Sequence, residues 1–171
     1  MTTFTTTAPS PVGPLVLTSD GTSLTRLLFD GPVDPTWSTD PCPLLDQTRT
    51  ELAEYFAGTR TTFDLPLDPV GTPFQVSTWL ALRDIPYAQT INYGQLALRI
   101  GNARAARAVG LANGRNPISI VVPCHRVIGA NGSLTGYGGG LPRKQLLLDL
   151  ERRVAGVEVP GNPGAGQLSL I

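Results

Sequence analysis

Cys124 and His125 stand side by side in the stretch NPISIVVPCHRV, residues 116–127, and His125 is the only histidine of the 171 residues. A thiol attacks only as its thiolate, and a neighbouring imidazole able to take the proton is the simplest way to arm it. The pair points to nucleophilic chemistry at Cys124, against the alternative of a buried structural cysteine beside a hydrogen-bonded histidine. Ile118, Ile120, Val121 and Val122 form a short apolar run that predicts a buried strand, which Pro123 ends by removing a backbone donor. Neighbours on a strand face opposite ways, so only a turn starting at Pro123 would bring thiol and ring together.

The composition limits the partners. Hydrophobic residues make up 41% of the chain, enough for one domain or two small lobes. No apolar stretch is long enough to span a bilayer, and MTTFTTTAP lacks the basic leader and apolar core of a signal peptide, so a cytoplasmic protein is expected. Two cysteines cannot build a disulfide framework, and Cys42 between Pro41 and Pro43 reads as a loop residue. One histidine and two cysteines, with no close-spaced ligand pair, predict no protein-bound metal. The net charge of zero hides an asymmetry. Residues 1–84 set Arg26, Arg49, Arg60 and Arg83 against ten acids, whereas Ile85 to Leu148 holds no Asp or Glu but carries Arg99, Arg104, Arg107, Arg115, Arg126, Arg143 and Lys144. A basic surface around Cys124 follows, and a polyanion is its natural partner.

The elements that must position this pair are legible in outline. Leu15–Thr18 and Leu24–Phe29 flank Asp20-Gly21 as a hairpin, Leu44 to Phe56 has helical spacing closed by Gly58, and Thr61–Leu67 is expected to return as a strand. A lobe boundary is placed near Val70, with no catalytic group expected in the first lobe. Thr72-Pro73-Phe74-Gln75 carries a capping box for a helix running to Pro86. Helices over Tyr93–Ile100 and about Ala103–Asn113, joined at Gly101, form a helix-turn-helix whose second member normally lies against DNA. Ala103, Ala105, Ala106, Ala108, Gly110 and Ala112 make that member slim and poor in base-reading side chains, leaving Arg107 as a wedge or phosphate clamp; close helix packing explains the same residues equally well. Asn116 is placed to bond turn backbone on both sides, and Tyr137 sits in a glycine-rich loop able to lie against a flat base. On a last helix through Leu147 and Leu150, Glu151 lies near the apolar face, with a salt bridge to Lys144 or Arg152 as its plain role.

Taken in order, GTPFQVSTW, IPYAQTINYGQLA, ARAARAVGLANGRNP, VVPCHRVIG and LTGYGGGL resemble the O6-alkylguanine-DNA alkyltransferases of bacterial type. The resemblance is continuous from about Gly71 to Glu151 and extends more weakly over the first lobe. It implies an α/β (α+β) fold of two lobes. Residues 1–69 form a small antiparallel sheet with a helix, ribonuclease H-like; residues 70–155 form a mostly helical winged helix-turn-helix lobe carrying the cysteine; residues 156–171 form a flexible tail. It implies one irreversible transfer of an alkyl group from O6-alkylguanine, with O4-alkylthymine as a further substrate, in a base flipped out of duplex DNA. Cys124 is then the acceptor, and His125 takes the thiol proton through a water held by Glu151. Tyr93 turns the phosphate beside the flipped nucleotide and protonates the departing base. Arg107 fills the gap, Asn116 is the hinge, Ala106 and Arg115 complete the DNA-facing surface, and Val127 and Tyr137 shape the pocket. No cofactor is implied, and a monomer is expected. Ala88 departs from a usual glycine, Asn92 from a usual Ser or Thr, and Ala103 from a frequent proline.

Two other readings stand beside this one. A non-enzymatic module that binds or signals alkyl lesions would share the DNA-facing helix, although the related proteins of that kind replace the acceptor cysteine that is present here. A Cys-His hydrolase would leave the acid-free segment without purpose. The terminal Gln167-Leu168-Ser169-Leu170-Ile171 resembles a motif by which bacterial replication proteins dock to the sliding clamp, with Ile171 in place of Phe.

Overall fold

The computed structural model describes residues 1–157. Its first half is built on β1 (Phe4–Ala8), β2 (Leu15–Ser19) and β3 (Leu24–Phe29), an antiparallel sheet in the order β1-β2-β3. The hairpin at Asp20 forms as the sequence predicts, with the Asp20 carboxylate accepting from the Thr22 and Ser23 amides. Every residue of β2 is buried. Helix α1 (Pro43–Ala57) packs Leu45, Leu52 and Tyr55 inward and ends at Gly58, whose φ of 79° is the left-handed geometry that glycine supplies at a helix end. The expected strand over Thr61–Leu67 does not form. Leu67 makes one isolated bridge to Leu24, and Pro66 contributes a carbonyl to the Leu24 amide but has no donor of its own to extend a ladder.

The second half is mainly helical. Helix α2 (Pro73–Leu82) starts at the predicted capping box of Thr72 and Gln75. β4 (Ile91–Asn92) leads into α3 (Tyr93–Arg99), where Asn92 and Gln95 form a second capping box, so this departure from Ser or Thr keeps the cap. Helix α4 (Ala106–Gly114) begins later than its alanine content suggests, because Asn102 holds the Arg104 and Ala105 amides in a turn. Trp79 of α2 donates to the Ala112 carbonyl at 2.8 Å and fixes α4 against α2. β5 (Val127–Ile128) pairs in parallel with β4, and α5 (Leu141–Ala155) closes the fold.

The segment before Cys124 corrects the expected strand over Ile118–Val122. Only Ile118 bridges to β3: the Leu27 amide donates to the Pro117 carbonyl and the Ser119 amide to the Leu27 carbonyl. The chain then coils, with the Val121 amide bonded to the Ser119 carbonyl around Ile120, whose φ is 72°. A β-branched residue in that region is strained by about 1–3 kcal/mol, and the burial of Ile120, Val121 and Val122 holds it there. An apolar run has the same composition whether it buries a strand or a turn.

Among the described residues no helix is long and apolar enough to cross a membrane. The clamp-like Gln167–Ile171, and most of the tail assigned to 156–171, lie outside the described residues.

Asn92→Ala, which removes the α3 cap, is expected to lower the unfolding free energy by about 1 kcal/mol. Asn92→Ser is expected to stay close to the parent. Urea titration of the three proteins measures both.

Candidate active site

Cys124 opens a short 3-10 turn, Cys124–Arg126, with Pro123 just outside it, so the turn expected at the proline is present. Its thiol is buried. The Asn116 side chain donates to the Val122 carbonyl at 2.8 Å and the Ile118 carbonyl at 3.3 Å and accepts from the Ile118 amide at 3.0 Å, holding both ends of the coiled segment. Asn113 donates from Nδ2 to the Cys124 carbonyl at 3.3 Å. Burial pushes the Cys124 thiol above its ordinary value, opposed by the neighbouring Asn116 amide, the charge of Lys144 and the neighbouring Tyr137 hydroxyl.

His125 and Arg126 turn toward α5. Nε2 of His125 lies 2.7 Å from Oε1 of Glu151, and Arg126 donates from Nε and Nη2 to the same carboxylate at 2.9 and 2.8 Å. Tyr55 donates to Oε1 at 2.8 Å from α1, and the Ala88 amide to Oε2 at 3.2 Å. Glu151 is completely buried. Burial alone would raise its carboxyl, but the charge and hydrogen bond of His125, with the hydrogen bonds and charge of Arg126, hold it far below the ordinary 4.5. His125 is pushed below 6.5 by its own burial, against the pull of Glu151. The neutral ring beside an ionised carboxylate carries its proton on Nε2, so Nδ1, which has no partner among the described residues, keeps a free lone pair.

The remaining predicted residues surround this centre. Val127 is buried in β5, and its carbonyl accepts from Lys144, whose Nζ also reaches the Thr135 carbonyl at 3.0 Å. The Tyr93 hydroxyl donates to the same Thr135 carbonyl at 2.9 Å, and its ring packs on Gly110 of α4. Tyr137 meets Phe29 edge-on with centroids 6.0 Å apart, and its buried hydroxyl has no partner among the described residues. A cleft of 760 Å³ between β2–β3 and the end of α4 is lined by Phe29, Asn113, Arg115, Asn116, Cys124 and Tyr137, among others. On α4, Arg107, Ala108, Leu111 and Arg115 are exposed and Ala106 is half-buried, whereas Ala105 and Ala112 are buried, so the small residues serve both packing and an open face.

The chain matches "6-O-methylguanine DNA methyltransferase, ribonuclease-like domain" over residues 3–69 and "6-O-methylguanine DNA methyltransferase, DNA binding domain" over residues 73–153. The chain belongs to the 6-O-methylguanine DNA methyltransferase family. Methylated-DNA–protein-cysteine methyltransferase of Mycobacterium tuberculosis is 52% identical over 150 residues, covering 85% of this chain and 90% of the relative. Crystal structures of the M. tuberculosis O6-methylguanine methyltransferase and of M. tuberculosis OGT in complex with DNA both superpose with a TM-score of 0.82. The first is 48% identical over 94% of this chain and 96% of its own; the second is 50% identical over 90% and 94%. The family's two-lobed α/β architecture is the fold described above, with a small antiparallel sheet followed by a helical lobe.

Several expectations for this member of the methyltransferase family need correction. Glu151 pairs with His125 and Arg126, not with Lys144 or Arg152. The first lobe contributes to the site through Tyr55. Arg126 and Lys144 do not belong to a basic surface, because both are buried, and Arg143 bonds Asp30; Arg99, Arg104, Arg107 and Arg115 remain exposed. The residues that sequence reasoning missed are Tyr55, Arg126 and Asn113. The buried polar groups at Arg126 and Asn113 lay inside motifs already singled out, whereas nothing local marked Tyr55. Ala88, with φ 60°, occupies a left-handed position that suits glycine, which gives the family's usual residue there a physical reason.

Glu151 is ionised when folded, so its contribution is present at neutral pH and lost as pH falls below 4.5. His125, held neutral, adds a loss below 6.5. Glu151→Gln, which leaves Arg126 without its buried anion, is expected to cost about 3–5 kcal/mol at neutral pH. The gap from the parent is expected to narrow under acid. Urea unfolding across a pH series measures both.

Proposed function

We propose that this protein repairs DNA by moving the alkyl group of O6-alkylguanine in a flipped-out nucleotide to Cys124, once per molecule. The observation that carries this reading is a neutral histidine whose Nδ1 has no partner among the described residues, backed by an ionised carboxylate, one residue from a buried thiol on the wall of a cleft wide enough to admit a base.

His125 Nδ1 takes the thiol proton through a water. Sγ then attacks the alkyl carbon in line, the bond between that carbon and O6 breaks, and the electron pair leaves with guanine. Tyr93 supplies a proton to the departing base. Because a thioether is not hydrolysed under these conditions, the reaction stops at one equivalent. The thiol is pushed up by burial, so deprotonation belongs to the transfer step and a positioned base matters. The acceptor is the protein itself, and the reaction as written requires no cofactor.

Residues 70–155 act in this reading as the DNA-binding and acceptor domain, with 1–69 as the supporting lobe and 156–171 as a tail. Arg107 and Arg115 meet the phosphate backbone or fill the gap in the stack, Ala106 permits close approach, and Asn116 links the DNA-facing helix to the thiol turn. Val127 and Tyr137 border the base. The protein works as a cytoplasmic monomer on duplex DNA.

With an O6-methylguanine duplex, intact mass is expected to show one added methyl group per chain, located on Cys124, and none in Cys124→Ser. Repeated turnover, or methylation of that variant, would overturn the reading; tight binding without transfer would favour the lesion-binding module. His125→Ala is expected to slow transfer by about 100-fold or more while retaining affinity for the damaged duplex. Since His125 lies below 6.5, the acid limb of the single-turnover rate is expected under that pH.

A sliding clamp is a further proposed partner, through Gln167–Ile171. A clamp column is expected to retain the full chain and release the chain truncated before Gln167; equal retention would remove the idea.

A further inference from the structure

We infer that Asn113 is a specificity-determining residue that accepts a hydrogen bond from the exocyclic amine of the flipped base. The inference rests on the base-flipping reading above and names the group on the base that the cleft selects.

Asn113 lies in the last turn of α4 and is only 1% exposed. Its Nδ2 donates to the Cys124 carbonyl, which fixes the orientation of the amide, since turning it over would set two carbonyl oxygens against each other. Oδ1 is therefore the free end, and it has no hydrogen-bond partner among the described residues. A buried amide oxygen left in that state is costly unless a ligand satisfies it. Asn113 and Cys124 line the same cleft.

The neighbours do not relieve it. The Asn116 amide group is spent on the Ile118 and Val122 carbonyls, and the Tyr93 hydroxyl on the Thr135 carbonyl. An occupant that satisfies Oδ1 must therefore bring an N–H or O–H donor. Alkylation at O6 removes the N1 proton of guanine, so the 2-amino group is the donor left on the base. The Cys124 carbonyl already accepts from Asn113 Nδ2 and from the Val127 amide, so Asn113 Oδ1 is the acceptor left open to that amine. A purine without the amine, or an O4-alkylthymine, leaves Oδ1 unpaired.

Single-turnover methyl transfer to Cys124 is compared on two duplexes, one carrying O6-methylguanine and one carrying O6-methylhypoxanthine, which lacks only the 2-amino group. The parent protein is expected to prefer the amino-bearing base by about tenfold, the effect of one hydrogen bond of ordinary strength. In Asn113→Leu, similar in size but without an acceptor, the loss on guanine is expected to exceed the loss on hypoxanthine by about the same factor. Asn113→Ala, checked for its fold by circular dichroism, repeats the measurement if the leucine does not pack. Equal rates of the parent on both duplexes, or equal losses in the variants, would overturn the inference and assign Asn113 to holding the turn. Failure of the parent to transfer methyl from either duplex would instead remove the reaction proposed above.

Discussion

One carboxylate, sealed from water, sets the geometry of this molecule. Glu151 receives hydrogen bonds from Tyr55, Ala88, His125 and Arg126, groups drawn from α1, the loop before β4, and the turn at Cys124. A buried ion is tolerated only when its lone pairs are matched by donors in good geometry, so each of these segments must be in place together. Arg126 is held in turn by the Ile85 carbonyl at 2.8 Å and lies 5.5 Å from the centre of the Tyr87 ring. The arrangement decides which nitrogen of His125 bears the proton, and thereby turns a structural ion pair into a device for presenting a base.

The thiol turn is fixed by different means. Ile120 sits in a strained backbone conformation, Pro117 and Pro123 lack donors, and Asn116 supplies with one side chain the bonds that a strand would have made with a neighbour. The single bridge from Ile118 to Leu27 fastens this turn to the first lobe's sheet, and Arg143 fastens the start of α5 to the Val12 carbonyl and Asp30. The first lobe is therefore the frame against which the reactive segment is braced. Lys144, buried and bonded to the Val127 and Thr135 carbonyls, ties β5 to the loop that carries Tyr137.

The outer face obeys a simpler rule. Four exposed arginines on and around α3 and α4 form its positive field, while α4 meets the core through Ala105, Val109, Ala112 and Asn113. The same helix thus has a side that can approach duplex and a side that reaches the acceptor, and Asn113 stands on the second, bonded to the residue that would react.

Much of this was legible from residue order. The hairpin at Asp20-Gly21, the glycine that stops α1, the capping box at Thr72 and the turn at Pro123 each depend on contacts within a few residues, so local patterns specify them. The PCHRV segment and its upstream motifs were enough to place the chain in its family. What residue order left undecided depended on distance in the chain. It predicted a strand at Ile118–Val122, where sheet pairing stops after one bridge, and another at Thr61–Leu67, where a proline stands against the ladder. It counted Arg126 and Lys144 as surface charge, because a cation's burial is set by the partner it finds. Tyr55 and Glu151 are 96 residues apart, and no periodicity encodes their meeting. The sequence by itself determined which groups could react, where α1 ends and where α2 begins. Only the tertiary structure decided which charges are hidden, which ring nitrogen is free and which buried oxygen is left waiting, because those follow from the desolvation and pairing of groups that the chain brings together from far apart.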